Sequence, residues 1–491
     1  MTTTAELVER IEAAPRGPSV MAVFDYDGTL IDGFSAADFY RDRLKNRQMG
    51  PAEIASLVQA ARKGLKDAES FIAFLNSSLA RWEGLSEAEL YATGASLFKH
   101  ETAGRLRRET YEILETHRRM GHTLVLASSA LPFQTTPIAK ALEFDHVLCT
   151  AVQVGEDGLL TGRTEGDPVW GPEKAARIVG LAKQLGCDMD DTFGYSNGGE
   201  DVPMLLACAT SAAIAPDDDL RRAAAREGWP VLDCVDPTPR ATIKDAVRTA
   251  AFYGSFAGAM GVAGGIGLAR RSRRSFLDIA FGVGADVSLA AAGVDVRVLK
   301  GAEHLWDSRP CLFVFNHSSK IDTIVVAKLL RQDFTGVAKA EAKNVPMFGQ
   351  LFQLAGIALI DRNDREAAQK KMQPLVQRLK EGTSVVVSPE GTRTPTPRMA
   401  PFKKGPFHIA MQAEVPVVPI VFRGIDQVQW RGAQVIRPGI VEAIVLPPVD
   451  TAGWRPETVG DHRDEVRDLM QDALDHWPAS AHVSLPVGDR A

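Results

Sequence analysis

Short apolar runs that alternate with helical stretches limit the folds open to this chain more than any other feature. From Val20 to about Cys234 the runs "SVMAVFDYDGTL", "HTLVLASSA", "HVLCTAVQV", "DTFGYSNGG" and "ATSAAIAP" have strand length, and helical stretches such as residues 102–120 and 172–185 separate them. Strands joined through helices predict a parallel sheet with crossovers, an α/β fold. Residues 34–100 break the alternation, being long, helical and strand-free, and are expected to form an inserted helical cap. A second alternating region covers roughly residues 276–480, with "PCLFVFNH", "FTGVAKAE", "AGIALIDR", "GTSVVVSPEG" and "VPVVPIVF" as strands that end in polar, Gly or Pro residues. In open α/β sheets, ligands gather beyond such carboxyl ends.

Between the two regions the composition shifts. "DPTPR" (residues 236–240) reads as a linker, and residues 249–269 form 21 positions without a charge, followed by the basic "RRSRR" at 270–274. That length suffices for a bilayer. The spacings Gly254/Gly258 and Gly261/Gly265 suit close helix packing in lipid, and the basic flank suits an anionic cytoplasmic leaflet. The many Gly and Ala residues make the segment a weak span, so contact with membrane lipid at the cytoplasmic face is expected ahead of crossing. The rival reading is a buried, Gly-rich helix of a soluble domain. The apolar stretch 276–294 is a candidate second interfacial helix. With 491 residues, two to four domains are expected; the boundaries read as 1–235, 236–275 and 276–491. The net charge of −6 argues against nucleic acid as a partner. Five scattered cysteines without CxxC spacing argue against a disulfide framework or a zinc site and fit a reducing compartment. The N-terminal residues include acids and lack the apolar centre of a secretory signal.

Two groups of residues carry chemistry. In "DYDGTL", Asp25 and Asp27 follow a strand, two residues apart, so both side chains can face one pocket. One carboxylate can attack phosphorus while the other gives a proton to the leaving oxygen, and Gly28 permits the turn; a plain or calcium-type turn is the alternative. With "LASSA", "DGLLTGR", "GPEKAARI" and "YSNGGEDVPML", this region resembles the haloacid dehalogenase superfamily, in its phosphoserine phosphatase branch, over about residues 18–235. The resemblance implies a Rossmann-like fold with the 34–100 cap, Asp25 as nucleophile, Asp27 as acid and base, and Ser128 and Lys174 as phosphoryl-binding groups. It also implies Mg2+ held by Asp25, Asp27, Asn197 and Asp201, and a small phosphomonoester substrate. Asn197 departs from the family's aspartate. A neutral oxygen binds hard magnesium less well than a carboxylate, so metal affinity should fall unless Glu200 or Asp201 compensates. A catalytically weak domain acting as scaffold or dimerisation module is the alternative.

In "NHSSKID", His317 stands five positions before Asp322. An imidazole with an ordinary pKa near 6.5 can take a proton from an alcohol near neutral pH, and a carboxylate on its other nitrogen would fix the tautomer if a helix began at Ser318. Downstream, Lys339, Arg362 and Arg393 supply cations suited to a phosphate monoester, and Glu390, Gly391 and Thr392 form a turn before Arg393. "NHSSKID", "AGIALIDR", "SPEGTR" and "VPVVPI", in that order, resemble the glycerolipid acyltransferases, specifically 1-acyl-glycerol-3-phosphate acyltransferases, over about residues 295–450. The resemblance implies His317 as base with Asp322 as partner. It implies that Gly356 and Arg362 form the second motif and Glu390, Gly391 and Arg393 the third, that these residues with Thr392 and Lys339 bind substrate, and that Lys339, Arg362 and Arg393 take the acceptor phosphate. It further implies acyl-CoA or acyl carrier protein as donor, lysophosphatidate as acceptor and no cofactor for this domain. Glycerol-3-phosphate or another lyso-lipid is the alternative acceptor.

Overall fold

The computed structural model describes residues 2–478 except 64–66, 239, 345–347 and 361–364. The chain divides into two compact units, Met1–Arg240 with Pro395–Arg398, and Ala241–Thr394 with Met399–Ala491.

The strands of the first unit are β1 (Met21–Phe24), β2 (Thr123–Ala127), β3 (His146–Leu148), β4 (Val152–Val154), β5 (Leu160–Thr164), β6 (Phe193–Ser196), β7 (Thr210–Ile214) and β8 (Val231–Leu232). Six form one sheet in the order β3-β2-β1-β6-β7-β8, with every pairing parallel. All residues of β1 and β2 are buried, as expected of parallel strands covered on both faces. The side chains alternate: Ala22 and Phe24 join Ile113, Leu114 and Ile138 on one face, while Met21 and Val23 join Ile178 and Met204 on the other. Between β1 and the helix Arg108–Met120 that leads into β2 lie the cap helices Ala36–Lys45, Pro51–Lys63, Ala68–Ala80 and Glu87–His100. Phe39, Phe71, Leu79, Trp82 and Leu90 of this cap share an apolar core with Leu131, Phe133, Val152 and Leu160. The stretch expected as one strand, "HVLCTAVQV", is divided into β3 and β4, which lie in different sheets. Thr150 breaks it: its N–H donates to the Ala130 carbonyl (3.1 Å) and its hydroxyl accepts from Val169 N–H (3.0 Å).

A buried chain of polar groups crosses this core. His122 Nε2 donates to the Pro15 carbonyl (2.9 Å), so a neutral His122 accepts at Nδ1 from His117 Nδ1 (2.7 Å), and His117 Nε2 accepts from the Tyr195 hydroxyl (2.8 Å). Burial holds His117 well below its ordinary 6.5, with the neighbouring His122 adding to the effect, and burial also lowers His122. The unfolded chain binds a proton at His117 below about pH 6.5 that the folded chain refuses. This contribution is therefore complete above the unfolded value and is lost as pH falls below it. Thermal melts at pH 7.5 and 5.5 should show wild type losing more stability on acidification than His117→Gln; equal losses would mean that His117 titrates normally when folded.

The second unit contains β9 (Val294–Lys300), β10 (Leu312–Phe315), β11 (Phe334–Lys339), β12 (Ala358–Ile360), β13 (Ser384–Val387), β14 (Val417–Arg423) and β15 (Gly439–Val445). They form one sheet, β12-β11-β13-β10-β14-β15-β9, parallel except where β15 runs against β14. The helix Ile243–Ala269 folds back on the helical run Arg273–Ala292, and both belong to this unit. Phe252, Phe256, Ala259 and Ala263 are buried in one core with Ala280, Phe281, Ala285 and Leu289. The remaining surface of the pair exposes Ile243, Val247, Tyr253, Val262, Leu268, Val283 and Val287. Both helices are long and apolar enough to cross a membrane by length and composition. The expected close packing at Gly254, Gly258, Gly261 and Gly265 is not found, since a Cβ there would meet nothing within 4 Å. Close approach occurs at Gly284 instead, where the Phe256 ring stands 3.2 Å from where a Cβ would be.

Candidate active sites

In the first unit the carboxyl ends of β1 and β6 assemble a buried acidic site. Asp25 follows β1 directly, and its N–H donates to the Tyr195 carbonyl of the neighbouring strand (3.0 Å). Its Oδ1 accepts from Lys174 Nζ (2.7 Å) and its Oδ2 from the Thr29 hydroxyl (3.0 Å). Lys174 also donates to Asp201 Oδ2 (2.6 Å), which accepts a second bond from the Ser196 hydroxyl (2.6 Å). Thr29 Oγ1 lies 3.1 Å from Asn197 Oδ1, which ties the β6 loop to the β1 loop. Gly28 makes this possible: its φ is +85°, and a Cβ would stand 2.2 Å from Asn197 Nδ2. Asp25, Lys174, Asn197 and Asp201 are thus gathered. The Asp27 carboxylate is engaged by Ser35, whose N–H (2.6 Å) and hydroxyl (3.1 Å) both donate to it, and it feels the charge of Asp25. Ser128 stands just beyond β2, the neighbour of β1, and accepts from Ala130 N–H (3.1 Å). Thr29, fully buried, and Ser196 were not singled out from the sequence; a hydroxyl two residues past an acidic pair is the available clue to Thr29.

Burial dominates the electrostatics here. It pushes Asp25 up to about 6, with Lys174 opposing and Asp201 adding, and it pushes Asp27 and Glu200 each to about 7. Burial alone would lower Lys174, but Asp201 and Asp25 outweigh it and hold the ammonium charged. Among the described residues no three His, Cys, Asp or Glu side chains form a metal-binding group. Asp25 and Asp201, bridged by the Lys174 ammonium, with the Asn197 amide oxygen on the same loop as Asp201, still supply hard oxygen donors, the chemistry that suits Mg2+.

In the second unit β10 ends at Phe315, beside β13 and β14, and the chain turns through Asn316 and His317. Asn316 anchors the turn, donating to the Phe422 carbonyl (2.9 Å) and accepting from Phe422 N–H (2.7 Å). His317 Nδ1 donates to Asp322 Oδ2 (2.8 Å). The helix begins at Asp322, not at Ser318. Residues 318–321 instead fold back so that Ser318 N–H (2.8 Å) and Ser319 N–H (3.0 Å) also donate to Asp322 Oδ2. Three donors on one oxygen hold the carboxylate, and among the described residues nothing bonds to Nε2 of the imidazole, which can accept.

Glu390 is buried and both its oxygens are engaged, Oε1 by His317 N–H (2.6 Å) and Oε2 by Ala400 N–H (3.0 Å). Its contacts are therefore with the base-bearing loop. Burial pushes its carboxyl up to about 8 against the pull of those two donors. Gly391 and Thr392 complete the turn, with Gly391 at φ +73°. Arg393 Nη1 donates to the Arg431 carbonyl (2.9 Å), and the next residue, Thr394, donates from N to the His317 carbonyl (2.8 Å). Lys339 ends β11 and pairs with Glu341 (2.9 Å) at the surface. Gly356 precedes β12 and its carbonyl accepts from the Thr335 hydroxyl (3.0 Å). Arg362 lies outside the described residues. The structure thus gathers His317, Asp322, Glu390 and Arg393, while Lys339 and Gly356 have contacts elsewhere.

Family comparisons agree with these two architectures. Residues 22–206 match the family of haloacid dehalogenase-like hydrolases, and residues 296–423 match the acyltransferase family. The chain joins a haloacid dehalogenase-like domain with a helical cap to an acyltransferase domain, both α/β. Among curated proteins it is similar to 1-acyl-sn-glycerol-3-phosphate acyltransferases. That of Limnanthes douglasii is 33% identical over 178 residues, which are 36% of this chain and 62% of the relative. That of Saccharomyces cerevisiae is 32% identical over 200 residues (40% and 65%), and the alpha form of Mus musculus 37% over 180 (36% and 63%). The chain therefore spans a little over three-fifths of the length of these relatives. Among solved structures, a Bordetella pertussis protein of unknown function has TM-score 0.40 at 26% identity, covering 44% of this chain and 99% of that one. The acyltransferase PlsC of Thermotoga maritima has TM-score 0.40 at 24% identity, covering 47% and 97%. Scores this low add nothing to the assignment.

Proposed function

We propose that the second unit transfers an acyl chain from acyl-CoA or acyl carrier protein to 1-acyl-glycerol-3-phosphate, giving phosphatidate. The hydrogen-bonded His317–Asp322 pair carries this reading. His317 Nε2 takes the proton of the acceptor hydroxyl while that oxygen attacks the thioester carbonyl. The carbon–sulfur bond then breaks, and the imidazolium returns the proton to the leaving thiolate. Asp322 fixes the tautomer and steadies the charged ring, and Glu390 fixes the backbone beneath it. The exposed apolar residues on Ile243–Ala269 and the following helix support contact with membrane lipid, at the cytoplasmic face given the basic residues 270–274. Labelled acyl-CoA offered with lysophosphatidate, glycerol-3-phosphate and other lyso-lipids tests the acceptor: labelled phosphatidate is expected, and label in another product only would overturn the choice.

We further propose that the first unit hydrolyses a small phosphomonoester of the phosphoserine kind. Asp25 attacks phosphorus as the ester P–O bond breaks and Asp27 protonates the leaving oxygen; Asp27 then takes a proton from the water that attacks the aspartyl phosphate, which releases phosphate and restores the Asp25 carboxylate, while Lys174 and Ser128 hold the phosphoryl oxygens. Asp25, Asn197 and Asp201 would hold Mg2+, which when bound neutralises charge on the phosphoryl group. A second reading rests on the Asn197 amide in place of a carboxylate: a domain of weak activity that serves as scaffold. Phosphate release is expected to fall to background in Asp25→Asn, measured with magnesium and phosphoserine; equal release by both proteins would favour the scaffold.

A further inference from the structure

Arg431 has no part in the motifs above. Its Nε and Nη1 are shielded from solvent and have no hydrogen-bond partner among the described residues. Burying donor groups of a cation without acceptors is unfavourable unless an anion completes them. The surroundings make the arrangement more unusual. The charge that acts on it is another cation, Arg393, whose Nη1 donates to the Arg431 carbonyl at 2.9 Å and which itself feels the carboxylate of Asp322. Burial, with Arg393 adding to it, lowers Arg431 to about 10, and no carboxylate contributes an opposing effect. Two half-buried guanidinium groups side by side are repulsive in isolation and favourable around a dianion.

The loop bearing Arg431 is also tied to the candidate base. The Ser319 hydroxyl donates to Gln429 Oε1 (3.3 Å), two residues before Arg431. Arg393 precedes Thr394, whose N–H and hydroxyl both donate to the His317 carbonyl, at 2.8 and 3.3 Å. In 1-acyl-glycerol-3-phosphate the reacting hydroxyl and the phosphate ester are on adjacent carbons, so the phosphate must lie within a few bonds of the imidazole. We propose that Arg431, with Arg393, clamps the phosphomonoester of the acyl acceptor and selects phosphorylated over neutral acceptors. This rests on the acyl-transfer reading of the second unit.

The test separates binding from turnover, using the full-length protein in EDTA. Titration with 1-acyl-glycerol-3-phosphate should show about 10–100-fold weaker binding in Arg431→Met than in wild type. Arg431→Lys should fall between them, because an ammonium keeps the charge and loses the fork. In acyl-transfer assays the loss should appear in KM far more than in kcat. Equal binding by wild type and both variants, or by Arg431→Lys alone if Arg431→Met does not fold, overturns the clamp. Wild type that binds the lipid phosphate in an Arg431-dependent way without transferring label overturns the acyltransferase reading and leaves the clamp standing. No binding by wild type overturns both.

Discussion

Replacing His317 with Ala is expected to reduce acyl transfer about 10²–10⁴-fold, the usual worth of a positioned general base. The fold should survive. The His317 side chain is partly exposed, and Asp322 Oδ2 keeps two of its three donors, the N–H groups of Ser318 and Ser319. Asp322→Asn should also cut turnover, because the amide can offer N–H where the ring needs an acceptor and so disfavours the tautomer with Nε2 free. It should also weaken the loop, since the carboxylate orders residues 318 and 319. The two variants therefore separate chemistry from architecture: the first loses rate with an unchanged melting temperature, the second loses both. Label transfer from acyl-CoA at saturating acceptor, alongside thermal melts, reads both effects. Unchanged transfer by His317→Ala would sink the acyltransferase mechanism proposed for the second unit.

The largest stability effect is expected at Lys174. Its ammonium is buried between Asp25 and Asp201, at 2.7 and 2.6 Å, with its side chain only 3% exposed. Removing one partner of a buried ionic group typically costs about 3–5 kcal/mol, because the remaining charge has no compensation. Here two carboxylates would be left facing each other. Lys174→Ala should lower the stability of the first unit by about that amount in urea denaturation with EDTA present. The loss should grow with pH. With the ammonium gone, nothing offsets the burial that already raises Asp25, so stability is retained at low pH, where that carboxyl is protonated, and lost as pH rises through its folded value. A deficit under about 1 kcal/mol, or one that shrinks between pH 5.5 and 8, would show that the lysine does not bind the two acids as a charged group.

The parts of this architecture that were legible in the sequence are local. β1 and β10 are short buried runs ending in the residues that matter, and His317 and Asp322 share one loop. What was not legible depends on chain segments that meet at long range. Thr29 touches Asn197 across 168 positions, and nothing in "DYDGTL" marks which later residue will lie over Gly28. Glu390 carries the look of a ligand-binding acid in "SPEGTR", yet its two oxygens are taken by backbone N–H groups at 317 and 400, a use no sequence pattern announces. Arg431 lies 38 positions beyond Arg393 in a stretch without regular periodicity. β9 and β15 went unread for a related reason: they complete the sheet by pairing with each other, and β15 reverses direction against β14, which strand–helix alternation does not suggest.

The apolar helical pair is joined to the sheet by a single residue. The helix ends at Ala292, Gly293 turns at φ +75°, and Val294 begins β9, which is zipped to β15 from Gly439 onward. Such a joint has no slack. Whatever surface the exposed Ile243, Val247 and Leu268 settle on, the seven-stranded sheet is held at a set attitude to it, as a blade is held by its tang. The distance from that apolar face to His317 is then a built-in dimension of the second unit, and lengthening the joint at Gly293 would change it without altering His317 or Asp322.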